Sequence, residues 1–268
     1  MPALLYEKRD GVAYLTFNRP EVHNAMDPET VVRLGEAWLD FEADNETRVA
    51  IITGAGEKAF CAGADLGRLI PLYTRARQPE DVWDKRVLED REIRNVSLMR
   101  GRPIYKPIIA AVNGFCLAGG TELIQACDIR IAAEHASFGL TEVTRAIVPA
   151  GGSLARLARQ IPWCKAMEIL LVGDHMTAQE AHRIGLVNYV VPLPELMPTA
   201  EKVARKIAAN GPLAVRKIKE AVIRTSGLPL EKAYEIENEC ARDVMRSEDA
   251  REGPRAFMEK RPPRYTGR

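Results

Sequence analysis

The strongest fold signal in this chain is the stretch AVNGFCLAGGTEL, residues 111–123, in which an apolar strand runs through a glycine turn into a helix. The pattern predicts the strand over residues 108–112 and the helix over about 120–127. Gly119 and Gly120 would stand at the helix N-terminus, where unpaired backbone N–H groups and the helix dipole favour negative charge. The stretch therefore predicts a strand, a tight turn and a helix whose amides face an anionic group.

The same alternation of elements continues on both sides of this stretch. Strand formers fill residues 12–17, and Asp27-Pro28 predicts the start of an amphipathic helix over 28–44. The apolar run at 49–53 predicts a strand covered on both faces, and residues 129–133 predict a further strand. The order indicates an α/β fold, with coiled parallel sheets as one candidate. The last third is predicted to be helical, over residues 178–184, 196–210, 212–225 and 230–246.

Composition describes an ordinary globular chain of 268 residues. Lys plus Arg number 38 and Asp plus Glu 37, which gives a net charge of +1. That balance disfavours nucleic acid as a partner, and no apolar run is long enough for a membrane span. The five cysteines form no C-x-x-C pair, and the N-terminus resembles no signal peptide, so we expect free thiols and a cytoplasmic protein. The cysteine and histidine spacings predict no metal site.

Two motif matches are rejected on their context. Residues 54–59, GAGEKA, fit a dinucleotide fingerprint, but Gly63 follows where the fingerprint requires a helix interior. Residues 151–155, GGSLA, approach the nucleophile motif G-x-S-x-G but end in the wrong residue. No feature of the sequence marks His135, His175 or His182 as a catalytic base. Neither a dinucleotide site nor a hydrolase triad is expected.

A purely structural role does not readily explain residues 60–66 and two of the glutamates. FCAGADL, residues 60–66, places small side chains after a strand, which lets a ligand approach free backbone N–H groups. Glu122 alone would be a stabilising first-turn acid, and Glu142 alone a surface or capping residue. Together, two sets of amide donors and two acids describe a site for an oxyanion, a water molecule and a proton.

The sequence resembles the crotonase superfamily, and most of all its enoyl-CoA hydratases. The resemblance runs in order along essentially the whole chain. The matching stretches are residues 24–26, 60–66, 110–128, 138–142, 149–157, 173–186 and 257–261. It implies a right-handed spiral of ββα turns in residues 1–190, which would carry an acyl-CoA site. Residues 191–268 would form a helical trimerisation region of the same structural unit, and the assembly would be a homotrimer or a dimer of trimers.

The resemblance also assigns roles to residues. Ala64 and Gly119 would supply the backbone N–H groups of the oxyanion hole, and Glu122 and Glu142 would be the catalytic acids. No cofactor is implied, because coenzyme A is part of the substrate. Contacts with CoA or the substrate would come from Ala25, Ala62, Asp65, Leu66, Gly67 and Lys260.

This chain departs from the family pattern near the CoA site. Gly67 stands where family hydratases often carry a lysine near the phosphates, and the adjacent Arg68 is a candidate replacement. Ala118 replaces the first glycine of the common glycine run, a change not expected to block the oxyanion hole. Lys260 is either the family's CoA-binding lysine or an ordinary surface lysine.

The implied reaction is the reversible hydration of a 2-enoyl-CoA to a 3-hydroxyacyl-CoA. A double-bond isomerase of the same fold and a catalytically silent acyl-CoA-binding protein remain alternatives. The charged segment of residues 66–105 looks longer than in typical family hydratases, by roughly fifteen to twenty residues, well beyond ordinary connection lengths. It is interpreted either as a lid that shapes acyl specificity or as a solvated excursion.

Overall fold

A computed structural model describes all 268 residues. Three short 3₁₀ helices accompany ten strands and twelve α-helices. The strands are β1 (Leu4–Arg9), β2 (Val12–Phe17), β3 (Val49–Gly54), β4 (Ala59–Cys61), β5 (Ile108–Val112), β6 (Phe115–Leu117), β7 (Ile129–Ala133), β8 (Ser137–Gly139), β9 (Met176–Thr177) and β10 (Tyr189–Val191). The helices are α1 (Pro28–Ala43), α2 (Ile70–Tyr73), α3 (Val82–Glu89), α4 (Arg91–Ser97), α5 (Gly119–Ile124), α6 (Ser153–Arg156), α7 (Trp163–Val172), α8 (Ala178–Arg183), α9 (Leu193–Ala208), α10 (Pro212–Thr225), α11 (Leu230–Met245) and α12 (Asp249–Met258).

Two sheets organise the molecule. The larger has the order β1-β2-β3-β5-β7-β10, and the smaller has the order β4-β6-β8-β9. Every pair in the larger sheet is parallel except β1 with β2, and in the smaller sheet only β8 with β9 is antiparallel. Strands of one sheet alternate along the chain with strands of the other, so the backbone coils between them. The predicted α/β class with parallel sheets is confirmed.

The central strands of the larger sheet are buried on both faces, as their apolar runs predict. In β3, Ala50 and Ile52 join the main core with α1, whereas Val49 and Ile51 join a second cluster with α9. Side chains of successive strand residues point to opposite faces, so a continuous apolar run supplies both layers. The larger sheet is therefore covered by α1 on one face and by α9 on the other.

The helices largely follow the predicted pattern. Helix α1 begins after Asp27, whose carboxylate accepts a hydrogen bond of 2.8 Å from the Thr30 amide. The four helices predicted in the last third correspond to α8, α9, α10 and α11, with ends shifted by up to three residues. No prediction covered α2, α3, α4, α6, α7 or α12, and α12 contains a proline within its length. None of the helices combines the length and apolarity that crossing a membrane would need.

The 66–105 segment folds into α2, α3 and α4 and is fixed to the core. Helix α4 packs on α1 so closely that a Cβ on Gly35 would lie 2.7 Å from the Ile93 carbonyl oxygen. Asp84, fully buried in α3, is held by the guanidinium of Arg77. Burying an unpaired carboxylate would cost several kcal/mol, so this pair keeps the charged segment folded. The segment is therefore a packed part of the molecule.

Candidate active site

A cavity of about 650 Å³ lies between the smaller sheet, α5 and the 66–105 segment. Eight of the ten site residues predicted from the sequence line it, and two do not, namely Gly67 and Lys260. The eight are Ala25, Ala62, Ala64, Asp65, Leu66, Gly119, Glu122 and Glu142. These residues are far apart in the sequence, and the spiral of the chain brings them to one place.

The amides of Ala64 and Gly119 lie next to each other and have no acceptor within the protein. Met26 forms a parallel bridge with Ala64 by donating to the Gly63 carbonyl and accepting from the Asp65 amide, each at 2.8 Å. That pattern skips the Ala64 N–H. Gly119 is the first residue of α5, and a Cβ on it would lie 3.8 Å from the Ala64 nitrogen. Two free donors therefore lie close together on segments that line the cavity.

Close packing holds α5 in this position. A Cβ on Gly120 would overlap the Cys61 carbonyl oxygen and lie 3.0 Å from the Cys61 Cβ, so only glycine fits there. The Thr121 hydroxyl donates to the Cys116 carbonyl at 2.5 Å. Ala118 precedes the helix at φ 48°, ψ −121°, a conformation that costs a non-glycine residue about 1–3 kcal/mol. The surrounding packing enforces this strained turn, which orients the Gly119 amide.

Glu122 is a buried carboxyl held by backbone donors. It is 4% exposed, and its Oε1 accepts a hydrogen bond of 3.1 Å from the Ser153 amide. Burial raises the pKa of Glu122, while the amides of Gly151, Gly152 and Ser153 oppose that rise. The carboxyl group is therefore fixed in place by the turn that precedes α6.

Glu142 lies in the 3₁₀ helix Thr141–Arg145 and is 8% exposed. Its Oε2 is buried without a hydrogen-bond partner. Burial, assisted by the negative charge of Glu122, raises the pKa of Glu142 to about 7. An unpartnered buried oxygen that faces a cavity is free to bind a ligand or a water molecule. With a pKa close to neutrality, this group can both accept and donate a proton.

The structure limits what the predicted CoA-binding residues can do. The Asp65 carboxylate is occupied by Arg19 at 3.0 Å and by the amides of Gly67 and Arg68 at 2.9 and 3.0 Å. The Arg68 guanidinium pairs with acids of its own segment, at 3.2 Å from Glu80 and 3.1 Å from Asp81, and does not line the cavity. Asp65 therefore shapes the loop through its internal bonds.

Lys260 lies directly after α12, exposed and outside the lining of the cavity. Its proposed contact with CoA stays a prediction about the assembled oligomer.

Sequence reasoning missed residues that position or line the site. The side-chain amide of Asn24 donates to the Ala55 and Ala59 carbonyls, and that of Asn113 donates to Gly54 and Gly56. These bonds shape the turn that a dinucleotide fingerprint matches, and no helix follows it. His175, Tyr73 and Arg94 line the cavity as well. Asparagines beside glycines mark turns in general, so no local signal distinguished these two.

Comparisons with known proteins agree with this geometry. The family model for enoyl-CoA hydratase/isomerase matches residues 7–268. An enoyl-CoA hydratase of Mycobacterium tuberculosis, EchA19, is 40% identical over 267 residues, covering 100% of this chain and 97% of the relative. The (E)-benzylidenesuccinyl-CoA hydratase of Thauera aromatica is 40% identical over 268 residues, covering 100% of both chains.

Solved structures of enoyl-CoA hydratases have the same fold as this chain. The crystal structure of an enoyl-CoA hydratase from Mycobacterium tuberculosis superimposes with a TM-score of 0.88 at 39% identity, covering 100% of both chains. The predicted crotonase-like architecture, an α/β spiral followed by a helical C-terminal region, is confirmed. The chain belongs to the enoyl-CoA hydratase/isomerase family.

Proposed function

We propose that this protein catalyses the reversible addition of water to a 2-enoyl-CoA, which gives a 3-hydroxyacyl-CoA. One observation carries the proposal: two free backbone amides and two buried carboxyl groups line a single cavity. The names of the relatives support hydration of CoA thioesters but differ in the acyl group, so the acyl group has to be argued from this chain's own residues.

The amides of Ala64 and Gly119 would stabilise the negative charge that develops on the thioester oxygen. Water adds to the β-carbon of a conjugated thioester only if the π electrons can move toward that oxygen. Fixed N–H groups in a buried site stabilise the enolate without having to reorient, and each typically contributes ~10²–10³ in rate. The tight anchoring of α5 against Cys61 supports such a fixed geometry.

The two carboxyl groups would divide the proton transfers. Glu122 takes a proton from the water molecule as its oxygen bonds to the β-carbon. Protonated Glu142 gives a proton to the α-carbon, and the two groups then exchange one proton to restore the starting state. The raised pKa of Glu142, about 7, supports its being protonated in part of the population at neutral pH.

The rival activity of the same fold, double-bond isomerisation, requires only one acid that moves a proton between two carbons. The presence of two buried acids in one cavity favours hydration. A silent acyl-CoA-binding protein would have no need for a carboxyl group with a pKa near neutrality.

Assembly into a homotrimer or a dimer of trimers is part of the proposal. Large apolar side chains are exposed along the C-terminal helices, a pattern typical of surfaces that are covered in an oligomer. They include Ile218, Val222, Tyr234 and Phe257. Sedimentation of the purified chain would measure the oligomeric state.

Crotonyl-CoA in isotopically labelled water tests the activity. Hydration should remove the absorbance of the conjugated thioester and give a product heavier by one labelled water. Vinylacetyl-CoA distinguishes the isomerase, which would create the conjugated absorbance with no gain of water. Binding of crotonyl-CoA with no turnover would identify a silent binding protein and contradict the proposal.

A further inference from the structure

The 66–105 segment supplies one wall of the cavity, and polar side chains stand on that wall among apolar ones. Tyr73 from α2 and Arg94 and Asn95 from α4 all face it, together with Leu98. Because α4 is packed on α1 through Gly35, this wall is a fixed surface. The site therefore presents hydrogen-bond donors to the acyl group at positions set by the fold.

Three arginines line the cavity without a carboxylate partner within 4.0 Å: Arg94, Arg100 and Arg145. The only lining acid outside the proposed catalytic pair is Asp65, which is already bound by Arg19. Other arginines of the same segment do have carboxylate partners, namely Arg68, Arg77, Arg86 and Arg102. These three guanidinium groups thus have no ion-pair partner of their own, and an anionic group on the guest can supply one.

Arg94 is held along one edge and open along the other. Its Nη1 donates to the carbonyls of Val87 and Leu88, at 2.8 and 3.1 Å, where α3 ends. Nε and Nη2 have no acceptor within the protein. That pair of donors has the forked geometry that matches a carboxylate in a bidentate contact. The fold therefore orients this guanidinium before any ligand arrives.

Tyr73 and Arg94 both line the cavity. Both residues also line an adjoining surface cavity, so they form part of the partition between the two spaces. Neither the amides of Ala64 and Gly119 nor the two buried glutamates line that second cavity. Tyr73 is 39% exposed. The two donors therefore belong to the side of the cavity that borders the second space, whereas the amides and the glutamates do not.

We propose that the acyl group carries a carboxylate at the end remote from the thioester, bound in a bidentate contact by Arg94 and supported by the Tyr73 hydroxyl. The inference rests on the proposed hydration of an enoyl-CoA and narrows its substrate class to enedioyl-CoA monothioesters. A CoA phosphate offers the same oxyanion chemistry, so the experiment has to distinguish the two sources.

Hexenedioyl-CoA, its methyl ester and hexenoyl-CoA provide that distinction, because all three carry the same phosphates. The wild-type enzyme should hydrate the diacid thioester with a kcat/KM about 10- to 100-fold above that of the ester, the range of a hydrogen-bonded charge contact. Arg94→Gln should remove most of this ratio, and Arg94→Lys should retain part of it. The matched control is Arg91→Gln, an exposed arginine of the same helix outside the cavity, which should keep the wild-type ratio.

A wild-type ratio near one would overturn the inference, whether or not the variants fold. An equal loss for all three thioesters in Arg94→Gln would assign the arginine to a phosphate and also overturn it. Calorimetric binding of adipoyl-CoA against its methyl ester separates this proposal from the proposed activity. A preference for the diacid without turnover would sustain the carboxylate contact while hydration fails, and equal affinities would refute the contact.

Discussion

Two segments of the molecule each place one buried glutamate in the same cavity, and they hold it differently. Helix α5 presents Glu122 to the backbone amides of residues 151–153, whereas the 3₁₀ helix Thr141–Arg145 leaves Glu142 Oε2 unpartnered. Burial raises the pKa of both carboxyl groups, and the rise is opposed by three backbone amides at Glu122 but by only one, its own, at Glu142. The contrast shows that hydrogen bonds to the charged form can set two equally buried acids apart.

This difference separates a fixed group from an exchangeable one. A carboxyl group that accepts several backbone N–H bonds stays oriented, which suits the positioning of a water molecule. A carboxyl group without partners keeps its proton more readily and can pass it on. Three experiments test the contrast, beginning with the largest expected effect.

Removal of either acid should abolish most of the activity. Glu142→Gln and Glu122→Gln should each lower kcat for crotonyl-CoA by at least about 100-fold, because a missing general acid or base typically costs 10²–10⁴. Steady-state absorbance assays measure the loss. Glu134→Gln, at an exposed position, is the matched control and should behave as wild type. Near-normal hydration by either cavity variant would refute the role of that acid.

The pH dependence of stability should reveal Glu142. Its pKa rises from 4.5 to about 7 on folding, so between these values the folded state binds more protons than the unfolded state. The free energy of unfolding must then fall as pH rises through that interval, by up to about 3 kcal/mol. Glu142→Gln has no carboxyl group to titrate at this position. Its free energy of unfolding should therefore rise relative to that of wild type as the pH increases from roughly 5 to 8.

Urea denaturation at both pH values measures the difference, with Glu134→Gln as the control. If the free energies of unfolding of wild type and Glu142→Gln differ by the same amount at both pH values, the Glu142 carboxyl group titrates normally. That result would also remove the distinction between the two segments.

A smaller loss of activity should follow when a methyl group is added next to the Glu122 carboxyl group. A Cβ on Gly151 would overlap Glu122 Oε2 and lie 2.6 Å from Leu98 Cδ1. Gly151→Ala should displace the carboxyl group, lower kcat about tenfold and reduce stability by about 1–3 kcal/mol. Gly211→Ala is the control, since a Cβ there would meet its neighbours at 3.9 Å. An unchanged kcat in Gly151→Ala would mean that the exact position of Glu122 matters little.

Local patterns in the sequence predicted much of the scaffold. The apolar runs at 108–112 and 129–133 coincide with β5 and β7, because a strand buried on both faces has no alternative to apolar residues. Asp27-Pro28 marked the start of α1 through a side-chain cap that needs no distant partner. Helix α12, which contains Pro254, was not predicted.

The sequence predicted which residues belong to the candidate site but not how they are hydrogen-bonded and packed. A strand–turn–helix motif and a family resemblance named Gly119, Glu122 and Glu142, and the structure brings them to one cavity. The sequence assigned the 66–105 segment only a lid or a solvated excursion. Asp84 of α3 pairs with Arg77 of the preceding loop, and α4 packs on α1, which is distant in the sequence. Neither contact follows from the period of a helix or a strand.

The sequence by itself determined the α/β alternation, the family and the residues able to carry the chemistry, because these follow from neighbours along the chain. Only the tertiary structure decided which amides lack an acceptor, which carboxyl oxygen lacks a hydrogen-bond partner and which arginine keeps an open edge. The Glu122 carboxylate accepts a hydrogen bond from the Ser153 amide, 31 residues along the chain. The bridge between Met26 and Ala64 leaves the Ala64 N–H without an acceptor. The hydrogen-bond partners of a group come from segments that are brought next to it only when the chain folds.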